Sequence, residues 1–136
     1  MFVPLTVNDF LRRATLLYPD RIGIVDEPDQ PAASWGSLTY AQVAERAGAI
    51  AAGLDELGIG VGERVAMVSH NSARLFTALF GVSGSGRILV PINFRLVAEE
   101  IRYIVEHSGA RVLLVDPELD EALASVWCEQ IGRAHV

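Results

Sequence analysis

No lysine occurs anywhere in this chain, and all eleven of its basic residues are arginine. No amine side chain is therefore available as a nucleophile or as a phosphate ligand. Cysteine is almost as scarce: Cys128 stands alone, which excludes an internal disulfide and a thiolate metal cluster, and a lone thiol reads as incidental. Basic residues are outnumbered, 11 against 17 acidic for a net charge of −6, which argues against a nucleic-acid surface. No apolar run approaches the roughly 18 uninterrupted residues of a membrane span. The first residues also lack the basic, apolar and small-residue regions of a secretory leader, so the expectation is a cytoplasmic protein with no membrane span.

What the chain has is apolar surface to bury. Of 136 residues, 51% are hydrophobic, enough for one domain with a real core. Three short apolar runs, Val65 to Val68, Ile88 to Ile92 and Val112 to Val115, alternate with two segments of helical period, the signature of consecutive parallel βαβ units. The runs are apolar throughout rather than alternating, which implies strands covered on both faces. The expected fold class is α/β: βαβ units with a mainly parallel sheet covered by helices on both faces.

Around that core the chain order is readable. Thr6 to Tyr18 reads as a helix with Thr6 as N-cap and a stripe of Val7, Phe10, Leu11, Ala14 and Leu17, stopped by Pro19. Ile22 to Val25 is a short β-rich run, Glu27 to Ala33 a solvated loop, and Trp35 and Leu38 belong to the strand that pairs back. Thr39 and Gln42 form a capping box for a helix whose inward residues are Val43, Ala47, Ile50, Leu54 and Leu57, ended by Gly58. Asn71 or Ser72 caps the next helix, with Leu75, Phe76, Leu79 and Phe80 as its core face. A helix from about Val97 to His107 turns Ile101, Ile104 and Val105 inward. Asp116 then caps a final helix with Pro117 at its first position and Leu119, Leu123 and Val126 on its apolar side.

Several stretches imitate functional motifs. The loop Gly58-Ile59-Gly60-Val61-Gly62-Glu63 resembles a dinucleotide fingerprint, but it leaves a helix and feeds a strand, the reverse of what that motif needs. Gly81 to Gly86 misses the nucleophile elbow because Ser85 occupies its fifth place, and it ends a helix packed close to the sheet. Glu99 and Glu100 point in different directions from the first turn of a helix, where its dipole favours them, and form no carboxylate dyad. His107 is favoured by the same dipole at the other end. His70 follows a parallel strand, where α/β sheets place ligands, yet has no acid or nucleophile beside it in sequence and reads as a loop histidine.

Taken in order, YPDRIGIVD (Tyr18 to Asp26), LTYAQVAERAGAIAAGLDELGIGVGERVAMVSHNS (Leu38 to Ser72), ILVPINFRL (Ile88 to Leu96) and EEIRYIVEHSGARVLLVD (Glu99 to Asp116) resemble the N-terminal part of the adenylate-forming superfamily of acyl-CoA synthetases, luciferases and peptide-synthetase adenylation domains. Asn93 and Arg95 after Pro91 are similar to the acyl-CoA synthetase version, which tilts the substrate toward a fatty or other apolar carboxylic acid. Val97, where the family usually has Ser or Thr, and Gly84 to Arg87 depart from the family pattern.

The resemblance implies a two-step ligase in the parent protein: ATP and a carboxylate give an acyl-adenylate and pyrophosphate with Mg²⁺, and CoA then displaces AMP. It also implies a Ser/Thr/Gly-rich loop ending in Pro-Lys-Gly, an aromatic-Gly-x-Thr-Glu segment, a ribose-binding Asp and a C-terminal lysine, none of which this chain contains. The expectation is a partial N-terminal lobe, inactive alone, with no catalytic, cofactor-binding or metal-binding residue of its own. ATP, Mg²⁺ and CoA belong to the parent and are not expected to bind here. A self-contained flavodoxin-like module using the loops Ser69 to Ser72 and Asn93 to Leu96 for a small anion, and a truncated luciferase-like or aryl-acid enzyme, are the alternatives.

Domain organisation is expected as 1–129, part of the synthetase domain, and 130–136, a non-native tail. Gln130 to Val136 neither continues the apolar stripe nor resembles the family, and it is the translation of one frame of a common sequencing-library adapter, AGATCGGAAGAGCACACGTC. Adapter read-through predicts every codon of the tail, including AGA for Arg133. A single synonymous departure in the source DNA makes the tail genuine.

Overall fold

A computed structural model describes residues 5–126 and the backbone of 132–135. Cys128 lies outside the described residues.

The chain begins with α1 (Val7–Leu17), a hairpin of β1 (Ile22–Val25) and β2 (Ser37–Thr39), and α2 (Tyr40–Glu56). Thr39 caps α2 as its sequence requires: Gln42 N donates to Thr39 Oγ1 at 3.3 Å and Thr39 N to Gln42 Oε1 at 2.9 Å. Its far end closes in a Schellman motif, Ile59 N to Leu54 O at 2.9 Å and Gly58 N to Asp55 O at 2.9 Å, with Gly58 left-handed at φ 69°. That motif carries Ile59 into the core beside Leu54 and leaves Leu57 exposed, contrary to the expected stripe.

Three parallel strands follow, β3 (Arg64–Ser69), β4 (Ile88–Asn93) and β5 (Ala110–Val115), joined by α3 (Ala73–Ala78) and α4 (Ala98–Ser108). Spatially β3 is central, between β4 and β5, and β6 (Gly132–His135), the backbone of the expected non-native tail, lies parallel to β5 at the far side. Ala66, Val68, Leu113 and Val115 face Ile101 and Val105 of α4. Val65, Met67, Val112 and Leu114 face Leu54 of α2 and Ala78 and Val82. Consecutive residues of one strand thus enter opposite cores, which accounts for their unbroken apolar character. A third cluster, Leu11, Leu38, Val43, Ala47 and Ala73, fastens α1 and the hairpin to α2.

Other expectations fail for identifiable reasons. Of the α1 stripe, Leu11 alone is buried, because α1 meets α2 along a narrow seam. The core face of α3 is Ala73, Thr77, Ala78, Gly81 and Val82, whereas Phe76 and Leu79 are 44% and 39% exposed. Gly81, in a π-helical turn (Leu79–Ser83), lies so near α2 that a Cβ there would stand 2.8 Å from Ile50 Cβ. Small residues, not large ones, therefore face that contact, and Gly81 approaches α2 rather than the sheet. β4 is less covered than expected: Ile88 and Pro91 are exposed on this edge strand, and Leu89 and Pro91 join Leu75, Phe76 and Leu79 along an open apolar groove. Finally, Pro117–Leu119 and Ala124–Val126 are two separate 3₁₀ turns, not one helix, although Leu123 and Val126 are buried as their spacing suggests.

Leu54 joins α2 to the sheet and is 2% exposed. Leu54→Ala is expected to lower the unfolding free energy by about 2–5 kcal/mol in chemical denaturation, because the surrounding core cannot fully close the cavity.

Candidate functional site

The C-terminal ends of β3, β4 and β5 lie side by side, and the connections leaving β3 and β4 turn to opposite faces of the sheet. Such a switch of direction opens a crevice beyond the strand ends. His70 after β3, Phe94 after β4, and Asp116 and Glu118 after β5 meet there.

Asp116 organises this end of the molecule. Its side chain is fully buried, and Oδ2 accepts hydrogen bonds from Ser69 Oγ at 2.6 Å and His70 N at 2.9 Å. This replaces the expected helix cap: the carboxylate is held between strands and caps none of the turn that follows, which shortens to 3₁₀. Oδ1 of the same carboxylate has no hydrogen-bond partner.

His70, expected to lack an acid, has two beside it in space. Nδ1 lies 3.1 Å from Glu118 Oε1 and 3.7 Å from Asp116 Oδ2. The imidazole packs on Phe94 with ring centroids 4.2 Å apart, and the Arg95 guanidinium sits 5.4 Å from the Phe94 ring centre. Asn93 shapes that loop locally, its Oδ1 accepting from Arg95 N at 3.0 Å.

A second buried carboxylate fixes the other side of the crevice. Neither Asn71 nor Ser72 caps α3 through its side chain; Asp26 does so from the hairpin, its Oδ1 accepting from Ala73 N at 2.8 Å and its Oδ2 from Trp35 N at 2.8 Å and Gln30 Nε2 at 2.8 Å. Burial pushes the Asp26 carboxyl up, but the Trp35 and Ala73 amides, Gln30 and the Arg74 charge outweigh it and hold it below the ordinary carboxylate range. Arg74, also buried, lies 5.1 Å from the Trp35 ring centre, and Arg46 lies 4.3 Å from it.

The other weighed residues stay apart from this crevice. Glu100 Oε2 accepts from Val97 N at 3.1 Å and so closes the start of α4, Glu99 is exposed, and His107 stacks on Tyr103. The glycine-rich loop Gly58 to Glu63 runs from α2 into β3, so it is a structural turn.

A family model described as AMP-binding enzyme matches residues 11–135. The chain belongs to this AMP-binding enzyme family. Relatives include a long-chain-fatty-acid–CoA ligase of Thermus thermophilus, 41% identical over 115 residues, which cover 85% of this chain and 21% of that protein. A medium/long-chain-fatty-acid–CoA/3-oxocholest-4-en-26-oate–CoA ligase of Mycobacterium marinum is 30% identical over 93% of the chain and 22% of its own length. The solved structure of an anthranilate CoA ligase with anthranoyl-AMP superposes with TM-score 0.81 and 29% identity, covering 97% of this chain and 26% of that one. The chain therefore spans about a fifth of the length of these curated ligases.

The AMP-binding family implies ATP, and the crevice does not fit its phosphates. The first amide of α3, a natural phosphate donor, is already taken by Asp26, and the facing side chains include the carboxylates of Asp116 and Glu118.

Because Asp26 titrates below its ordinary value near 3.8, folding favours its charged form. That contribution is complete above the ordinary value and lost as pH falls through the lower folded value. Asp26→Asn is expected to cost about 1.5–3 kcal/mol at pH 7 and to flatten the acid limb of the stability curve, read by denaturation at pH 2–7.

Proposed function

We propose that this chain is the N-terminal part of an ATP-dependent, AMP-forming acid–CoA ligase that acts on a fatty or other apolar carboxylic acid, and that the chain alone is inactive. Its likeness to the Thermus thermophilus fatty-acid ligase carries this reading, supported by Asn93 and Arg95 following Pro91. The family match sets aside a self-contained flavodoxin-like module.

In the parent, ATP, Mg²⁺ and CoA supply the activating and accepting groups. This part contributes a parallel sheet, with Asp116 tying the end of β3 and Asp26 the start of α3. It has no lysine to follow charge on a phosphate, and the first amide of α3 is taken. An aryl acid is the second reading, favoured by the likeness to the anthranilate CoA ligase.

Both readings are tested on the reading frame extended through its natural stop. AMP release with ATP, Mg²⁺ and CoA is expected with medium- and long-chain fatty acids, and none from residues 1–136 alone. Preference for anthranilate or benzoate moves the assignment to the aryl class. A downstream sequence without a Thr/Ser/Gly-rich Pro-Lys-Gly loop removes the ligase assignment, and AMP release by the 136-residue chain removes its inactivity.

A further inference from the structure

We propose that His70, Asp116 and Glu118 form a binding site for a divalent cation of the zinc class. Their donor atoms, one imidazole nitrogen and two carboxylate oxygens, all lie within 4.8 Å of one another. His70 Nδ1 is 3.1 Å from Glu118 Oε1 and 3.7 Å from Asp116 Oδ2. Ligand atoms about 2.0–2.1 Å from a tetrahedral zinc stand about 3.3 Å apart along each edge; the two separations from His70 Nδ1 bracket that length, and the third edge, between the two carboxylates, lies within 4.8 Å and closes on the ion.

The surroundings hold the donors in place. Asp116 cannot swing away, because Ser69 Oγ and the His70 amide both bind its Oδ2 inside the protein. These are the outer hydrogen bonds that orient ligating carboxylates in metal sites. His70 is turned by its contact with Phe94, with Nδ1 toward the acids. Glu118 approaches from the exposed side, its side chain 22% accessible, which leaves a path for an ion and room for a water ligand.

The buried ligand also keeps unmet acceptor capacity on its second oxygen, the 3.7 Å contact with His70 being made by Oδ2. Asp116 Oδ1 is buried without a hydrogen bond, a costly condition for a carboxylate oxygen. Among the described residues neither Asp116 nor Glu118 pairs with an arginine, so two carboxylates face each other across a single imidazole. A bound ion compensates both charges. The mixed nitrogen and oxygen set suits Zn²⁺, Co²⁺ or Mn²⁺, whereas Mg²⁺ and Ca²⁺ prefer oxygen shells with more ligands. The site is independent of the ligase reading and of the magnesium that ATP brings.

The test titrates the metal-free 136-residue chain with Co²⁺, following its visible absorption, and then displaces Co²⁺ with Zn²⁺, with Mg²⁺ as control. One saturable site per chain is expected, with Zn²⁺ displacing Co²⁺ and Mg²⁺ not. Glu118→Gln, at a surface position outside the core, should weaken Zn²⁺ binding at least about tenfold, and His70→Ala should abolish the Co²⁺ bands. Far-UV circular dichroism should be unchanged in both variants. Saturable binding that survives both substitutions puts the ion elsewhere, and no saturable binding at millimolar Zn²⁺ removes the site; either result overturns the proposal.

Discussion

A strand with no water on either face governs this structure. Val65, Ala66, Met67 and Val68 of β3 are each no more than 1% exposed, so every backbone amide and carbonyl between them must find a protein partner. β4 and β5 satisfy that demand from the two sides, and the alternating side chains require a helical layer above and another below. Even the polar end of β3 serves the same arrangement: Arg64 donates to the carbonyls of Ser108 at 2.8 Å and Gly109 at 2.9 Å, closing the C-terminus of α4, where Gly109 is left-handed.

Two buried aspartates then do for the strand ends what local caps do for helices elsewhere. Asp26 reaches from the hairpin to the first amide of α3, and Asp116 reaches from β5 to Ser69 and His70. Asp26 caps α3 in place of Asn71 or Ser72, Asp116 leaves its own turn uncapped, and each fixes a loop across the fold. The result is a crevice tied across the fold and lined by carboxylates. Such a surface suits a cation far better than a nucleotide phosphate, whatever chemistry the remainder of a family member performs.

Local regularities were legible in the amino-acid order. The α/β class, the three parallel strands, the Thr39–Gln42 capping box and the glycine stop after α2 all depend on neighbours within a few residues, and the family resemblance follows from the same stretches. Long-range choices were not legible. The burial of Asp116 and the acids beside His70 depend on partners more than forty residues away. The face of α3 is chosen by the close approach of Gly81 to α2, which hydrophobicity alone cannot report. The helical spacing of apolar residues likewise puts Phe76 and Leu79 on the core face, although they border the open groove beside β4.

The two aspartate ties also set an order of events on the ribosome. Asp26 and its partner Ala73 are 47 residues apart, and so are Ser69 and Asp116. The loops closed are of equal length and carry similar entropic cost, yet they cannot close together during synthesis. The hairpin, α1 and α2 emerge first and share the cluster of Leu11, Leu38, Val43 and Ala47, which Ala73 completes only when α3 follows. The crevice is complete only after β5 has left the tunnel and paired with β3. A nascent chain halted between those points would carry a docked hairpin and an unfinished sheet, with the His70 loop still waiting for the carboxylate that anchors it.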